Sequence, residues 1–364
     1  MKKTLCISLG YEGGCLYYAN RLLENLNVEK DVWISRWTDE PFVNYSKRLR
    51  IKGGLFNVLI SSFFFLPVYI IKIICGIISN KWDKVIVFGP NIWDGIFLLL
   101  FRILGKKSYY IIHDGVLHSG EDDKFHQKLN NFNIRQATNH VFLSEYVSEM
   151  VKKRLNIRRK TQIIPHGIII YNGSVRLKAN NEENITFKRK RLLMIGRINR
   201  YKGVDLLFEA IRTLDFSKID SITIAGKFEK CISIPDDIIN HQKITIINKY
   251  LNDEEFNDLM IGHDIILMPY LEATQSGVAA TSIGYLKPAI VTRVGAMEEQ
   301  FGDSAVYMVD TSVVSLRDSI EYLLNNEDVY EDKIKKLQKK QKELNWESLG
   351  ELLKNFINEN NTSD

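Results

Sequence analysis

"RLLMIGRINRYKGVDLLFEAI", residues 191–211, sets how the whole chain is read. An apolar run ends at Gly196, a short cationic loop follows, and a helical pattern begins near Val204. A continuous apolar run that passes through a glycine into a helix is the repeating unit of a parallel sheet covered on both faces. The alternation continues downstream through "SITIAGK", "KITIINKY", "DIILMPY", "PAIVTR" and "AVYMVD", with helical runs between them. Upstream it appears as "TLCISLG", "DKVIVFG", "KSYYIIHD" and "NHVFLS", and "TQIIPHG" closes that half. Ser144 is placed to cap the helix "SEYVSEMVKKRL". Residues 170–191 form a polar stretch and the best linker. The expectation is an α/β chain of two Rossmann-like, doubly wound domains, 1–170 and 171–345, facing a cleft. The final amphipathic helix, about 346–364, is expected to pack back on the first domain.

A chain of 364 residues is too long for one ordinary core, and 45% hydrophobic with 26% charged residues is the balance of a folded protein. The net charge of +5 suits acidic small molecules or an anionic membrane surface and is too diffuse to indicate nucleic acid. Cys6, Cys15, Cys75 and Cys231 have no CxxC or zinc spacing and read as reduced thiols of a cytosolic protein. The first apolar run is short and soon meets Glu12, so it reads as a strand and not a signal peptide. "GGLFNVLISSFFFLPVYII", residues 53–71, is uncharged and long enough to cross a bilayer. Asn57, Ser61 and Ser62 dilute it, Pro67 interrupts a helix and Lys72 follows. Those features favour an apolar surface docked on a membrane or core over a span.

Ligands of open α/β sheets sit outside the carboxyl ends of the strands, so residues there carry the functional reading. In "GRINRYKG", Gly196 lets the backbone turn, and Arg197 and Lys202 flank a helix N-terminus. Two cations beside free backbone N–H groups make a site for a diphosphate. Solvated surface cations are the competing reading, and the position after a strand favours the site. In "PYLEATQSGV", Glu272 and Thr274 precede Gln275, Ser276, Gly277 and Val278. The N–H groups of Ser276, Gly277 and Val278 are offered to an anion; alternatively Ser276 only caps the helix and Glu272 is a solvated loop acid. On these residues alone the two readings weigh the same. Tyr250 stands after "KITIINK", either to pack on a nucleobase or at a sheet edge. His113 and His118 have zinc-like spacing but no third ligand in view, and His166 reads as ordering a turn. No GxGxxG follows a strand and no GK[ST] ends the loop, which disfavours a dehydrogenase and a P-loop NTPase.

The two loops together resemble the retaining, nucleotide-sugar-dependent glycosyltransferases of the large GT4 family, which have the GT-B fold. "GRINRYKG" is similar to that family's G-R-x4-K-G, and "PYLEATQSGV" with "KPAIVTRVGAMEE" to its donor loop and the strand and turn after it. "SLGYEGGCLYYANRLLENL" resembles its Gly-Gly loop, "IIHDGVLHSGE" its His-Asp loop, and "VFLSEYVSEMVKKRLNIRRKTQIIPHGI" its interdomain passage. The likeness covers most of the chain, least clearly residues 30–81.

By this resemblance Arg197 and Lys202 neutralise the donor diphosphate. Gly13, Gly14, Gly196, Gly226, Tyr250, Thr274, Gln275, Ser276, Gly277 and Val278 belong to the donor-binding set. Glu272 and His113 stand with the catalytic groups, and His113 lies near the transferred sugar, against a purely structural role on sequence grounds. The donor implied is a UDP- or GDP-linked sugar, with no other cofactor. The chain has no Asp-x-Asp of the kind that holds a divalent metal, so metal-independent transfer is expected, with retention by front-face attack. The acceptor implied is a glycan or polyprenyl-linked oligosaccharide of bacterial surface polysaccharide, capsule or O-antigen. With the basic patches "KKRLNIRRK" and "FKRKR" this places the protein in the cytoplasm, peripheral on the inner face of the membrane, and away from nucleic acid.

One departure stands out. The family commonly has Glu-x7-Glu, the second Glu bonding the nucleotide ribose. Eight residues after Glu272 this chain has Ala280, then Thr281 and Ser282. The missing acid motivates one alternative, a non-catalytic carbohydrate-binding or assembly protein of the same fold; a nucleotide-sugar epimerase of the same architecture is a second.

Overall fold

Strands, most of them buried on both faces, form the centre of the computed structural model, which describes residues 2–10, 13–38, 44–51, 55–115, 124–171 and 190–359. The chain divides into two units, Met1–Gly167 with Trp346–Asp364, and Ile168–Asn345. His118 and most of "FKRKR" lie outside the described residues.

Unit 1 runs β1 (Lys3–Ser8), α1 (Gly13–Asn25), β2 (Lys30–Ser35), β3 (Lys47–Leu49), α2 (Leu55–Phe64), α3 (Leu66–Ile78), β4 (Trp82–Phe88), α4 (Asp94–Ile103), β5 (Lys107–Ile112), α5 (Lys124–Gln136), β6 (Asn139–Phe142), α6 (Glu145–Leu155) and β7 (Thr161–Ile163). Its strands are all parallel, in the order β3-β2-β1-β4-β5-β6-β7. Successive strand residues point to opposite faces, and each face has its own core. Leu5, Ile7, Val85, Val87, Tyr110 and Ile112 pack with α3, α4 and α6. Cys6, Ile34, Ile86, Tyr109 and Ile111 pack with α1 and the last helix of the chain. That last helix, Trp346–Glu359, buries Leu349, Leu353, Phe356 and Ile357, and the Ile357 carbonyl accepts from Tyr109 Oη at 3.3 Å. Ser144 caps α6, its side chain accepting from Val147 N.

β2 and β3 are strands that the sequence pattern did not single out. The uncharged stretch after them is not one helix: α2 and α3 meet at a 44° bend, with Pro67 in the first turn of α3. Among the described residues no single helix is long and apolar enough to cross a membrane, although the bent pair reaches that length together.

Unit 2 runs β8 (Arg191–Ile195), α7 (Val204–Ile211), β9 (Ser221–Ala225), α8 (Asp236–Ile239), β10 (Ile244–Ile247), α9 (Asp253–Gly262), β11 (Ile265–Met268), α10 (Gly277–Gly284), β12 (Ala289–Val291), α11 (Met297–Phe301), β13 (Val306–Tyr307), α12 (Val313–Asn325) and α13 (Glu327–Glu343); the terminal helix of unit 1 is α14. Its parallel sheet has the order β10-β9-β8-β11-β12-β13. The strand order reverses between β8 and β11, so the loops leaving these neighbours lie side by side at the carboxyl edge. A switch point of this kind is where such sheets bind ligands. The two loops there are the ones the sequence singled out, residues 196–203 and 269–276.

Candidate active site

The loop after β8 is shaped by close backbone approach. A Cβ on Gly226 would fall 1.8 Å from the Gly196 carbonyl oxygen, so no side chain fits between the ends of β8 and β9. Gly196 itself has φ +104, and a Cβ there would stand 3.2 Å from both Lys202 Nζ and Val278 Cγ2. Gly196, the Lys202 ammonium and the first turn of α10 therefore converge on one small space.

Lys202 reaches that space from a single 3-10 turn, Arg200–Lys202, capped by the buried Asn199 side chain, which accepts from Lys202 N at 3.2 Å. The ammonium lies 5.4 Å over the ring of Tyr270. Among the described residues no carboxylate comes within salt-bridge distance of it. Burial first, and then the nearby Arg197 guanidinium, push its pKa down to about 8. Arg197 is exposed at the rim. A buried Lys202 ammonium with no carboxylate within 4 Å among the described residues favours an anion beside it.

The second wall is tied to the first. The Tyr201 carbonyl accepts from Leu271 N at 2.7 Å and from Glu272 N at 3.4 Å, stitching the two loops together. Ser276 is buried and caps α10, its Oγ accepting from Ala279 N at 3.2 Å. Tyr270 is buried with its hydroxyl 3.5 Å from Ser276 Oγ. One expectation is corrected here. The Ser276 N–H does not face an anion, because it donates to Gln300 Oε1 at 2.9 Å while Gln300 Nε2 donates to the Ser276 carbonyl at 3.2 Å. The N–H groups of Gly277 and Val278 remain in the first turn, which has no intrahelical acceptors. Gly277 is exposed, Thr274 buried, Gln275 half-buried and Glu272 exposed.

The acid-free helix has a structural counterpart. Ala280, Thr281 and Ser282 are all buried. Thr281 Oγ1 donates to the Gly277 carbonyl at 2.8 Å and Ser282 Oγ to the Lys287 carbonyl at 2.6 Å. Both hydroxyl protons are thus committed inside unit 2. Tyr250, by contrast, stands 80% exposed after the edge strand β10, its ring open for stacking.

In unit 1 the candidate residues also gather at the carboxyl edge. Gly13 (φ +80) and Gly14 open α1, and a Cβ on either would meet nothing within 4 Å among the described residues. His113 follows β5 and is buried, its ring edge-on to Tyr18 at 5.0 Å. Tyr18 also contacts His166 at 5.5 Å and Trp346 at 5.6 Å, and its hydroxyl donates to the Ile164 carbonyl at 3.0 Å. Burial, then the neighbouring His166, push the His113 pKa down to about 3, which leaves the imidazole neutral near pH 7. His113 Nε2 is buried with no partner among the described residues. A neutral ring with an unused nitrogen can hold a hydroxyl. His166 is likewise pushed down to about 4 by burial, and its Nδ1 lies 2.7 Å from the Gly167 carbonyl. Asp114 is exposed, and its carbonyl accepts from Asn130 at 3.0 Å. Among the described residues no three His, Cys, Asp or Glu side chains gather in a metal-ligand group.

Sequence reasoning missed Gln300, the Tyr201 carbonyl, Tyr18 and Trp346. Gln300 is 24 positions from the serine it fixes, and nothing in "AMEEQF" marks it.

Residues 189–326 match the family model for glycosyl transferases group 1. The chain is 22% identical over 310 residues to an uncharacterised 41.2 kDa protein in the cps region of Klebsiella pneumoniae, covering 82% of this chain and 83% of that one. Among solved structures it is similar to sucrose-phosphate synthase from Thermosynechococcus elongatus, with TM-score 0.71, 14% identity and 100% of both chains covered. It is also similar to Anabaena HepE in complex with UDP-glucose, with TM-score 0.68, 12% identity, 99% of this chain and 100% of that one covered. At such identities the structural likenesses speak for the fold, the two Rossmann-like domains of the GT-B class.

Proposed function

We propose that this chain, a glycosyltransferase of the GT-B architecture, moves a sugar from a UDP- or GDP-linked donor to a growing surface glycan, with retention of anomeric configuration and without a metal. The observation that carries the reading is the convergence of Gly196, Lys202 Nζ and the first turn of α10. Sugar transfer separates a diphosphate from an electron-poor sugar, and the leaving diphosphate needs fixed positive charge in a partly dry site. Lys202, Arg197 and the N–H groups of Gly277 and Val278 supply it. A neutral His113 is suited to hold a sugar hydroxyl.

The relative in a cps region supports a place in polysaccharide assembly, and the neighbour solved with UDP-glucose supports a uridine nucleotide among the donor choices. The acceptor we favour is a glycan or polyprenyl-linked oligosaccharide presented at the inner membrane face, with the protein peripheral on that surface. Thr281 and Ser282 are buried and their hydroxyl protons are spent within unit 2, so we expect the ribose contact from another residue.

A panel of UDP- and GDP-sugars, incubated with the protein and membrane-extracted lipid-linked glycan, tests this. A new glycosidic bond of retained configuration, formed in the presence of EDTA, is the expected product. An inverted linkage, or an isomerised nucleotide sugar released without acceptor, would overturn it.

A further inference from the structure

We infer that the α2–α3 face of unit 1 seats on an anionic phospholipid bilayer, with lipid phosphate held between Lys47, Lys72 and Lys81. The inference deepens the peripheral-membrane reading above and rests on it.

α2 is built inside out. Its polar serines point inward: Ser61 is buried, and Ser62 Oγ accepts from the indole N–H of the buried Trp93 at 2.9 Å. Its large apolar side chains point outward, with Phe56 74% and Phe63 77% exposed and Leu59, Ile60 and Phe64 beside them. On an ordinary surface helix the stripe facing water is polar. The exposed ridge continues along α3 through Val68, Ile71 and Ile78. Lys72 lies on that same solvent face, one residue from Ile71. A bent helix pair carrying such a ridge, with Lys72 its single charged residue, fits the interfacial layer of a bilayer.

Along the chain the charge around the ridge is of one sign. From residue 44 to residue 82 the sequence contains no Asp or Glu and six cations, Lys47, Arg48, Arg50, Lys52, Lys72 and Lys81, of which Lys52 lies outside the described residues. A cavity of about 450 Å³ borders α3, lined by Trp33, Lys47, Lys72, Lys81, Trp82 and Asp31. Asp31 is already engaged by Lys81 at 2.7 Å, Lys3 at 3.5 Å and the Trp82 indole at 2.9 Å. Lys47 rests on the rings of Trp33 and Tyr69, each at 4.9 Å, and among the described residues neither it nor Lys72 has a carboxylate within 4 Å. Burial, then Lys72 and Lys81, push the Lys47 pKa down to about 8, as expected of an ammonium among cations. A phosphate monoanion or diester relieves that repulsion. A second copy of the chain is a poor occupant, because a two-fold interface would set this cationic patch against itself.

Flotation of the full chain tests this, using vesicles of phosphatidylcholine alone and of phosphatidylcholine with 30% phosphatidylglycerol, the composition being about one anionic lipid in three. The protein is expected to float with the anionic vesicles and to stay behind with the neutral ones. Lys47→Gln with Lys72→Gln should weaken partition about 10-fold or more, and Phe56→Ser with Phe63→Ser about 10-fold or more. Free inorganic phosphate at matched concentration should not release the protein. Every variant should keep wild-type nucleotide binding, which reads fold and donor site independently. Failure to float while nucleotide binding is intact refutes the docking face and leaves the transfer reading standing. Release by free phosphate alone, or a dimer abolished by Phe56→Ser with Phe63→Ser, overturns it as well.

Discussion

Gln300 holds both backbone groups of Ser276, accepting from Ser276 N at 2.9 Å and donating to the Ser276 carbonyl at 3.2 Å. Gln300 sits on α11, directly after the strand that follows α10, and is itself buried. The cap of α10 is thus fixed from outside the helix, and the N–H groups of Gly277 and Val278 are aimed by it. Gln300→Ala leaves a buried donor and acceptor unmet. Urea unfolding should show a loss of about 1–3 kcal/mol, and nucleotide affinity should fall with it. Unchanged stability and affinity would mean that the pair is incidental.

Gly196 stands where a methyl group would press on Lys202 Nζ and Val278 Cγ2 at 3.2 Å from a backbone of φ +104. Gly196→Ala should therefore weaken UDP or GDP binding by about 10-fold or more, since the strain and the crowding fall on the proposed diphosphate space. Isothermal titration of both nucleotides reads this, with circular dichroism as the control for folding.

If Lys202 holds the donor diphosphate as proposed, donor binding should depend on pH. In the free protein its pKa is down at about 8, through burial and then Arg197. A bound diphosphate favours the ammonium and raises that pKa. Below pH 8 the charged form is already present and affinity is flat. Above pH 8 binding must take up a proton, so affinity falls by up to about tenfold per pH unit until the bound-state pKa is passed. Lys202→Ala should bind weakly and without that slope.

His113 should be silent in the pH profile. With its pKa at about 3 it is neutral from pH 5 to pH 8, and no imidazole ionisation should appear in the transfer rate over that range. His113→Ala should still lower transfer, while nucleotide binding, which depends on unit 2, stays within about twofold. A rate that falls between pH 7 and pH 5 with a single midpoint abolished in His113→Ala would contradict this.

Much of the fold was legible because the signals are local. Runs such as "RLLMI" and "DIILM" are apolar on both faces, which only a covered parallel sheet accommodates, and the N-caps Ser144 and Ser276 lie next to the helices they start. The convergence of Gly196 and Lys202 was legible for the same reason, the two being six residues apart. What escaped depends on long-range contact. Gln300 meets Ser276 across 24 residues, and Tyr18 meets Trp346 only through the fold. α2 escaped differently: its uncharged run was evident, but which of its residues face inward is settled by Trp93 taking Ser62. The acid-free helix was legible as a gap, and burial of Ala280 to Ser282 explains why the hydroxyls there do not fill it.

The most direct test of the diphosphate site is calorimetric titration of wild-type protein and Lys202→Ala with UDP and with GDP at pH 7. At least one nucleotide should bind the wild type, and the substitution should weaken it by about 10- to 100-fold, the loss of one charge-assisted contact to phosphate. Equal affinity in the two proteins, or no binding of either nucleotide to a folded wild type, would contradict the assignment of Gly196, Lys202 and the first turn of α10 to the donor diphosphate.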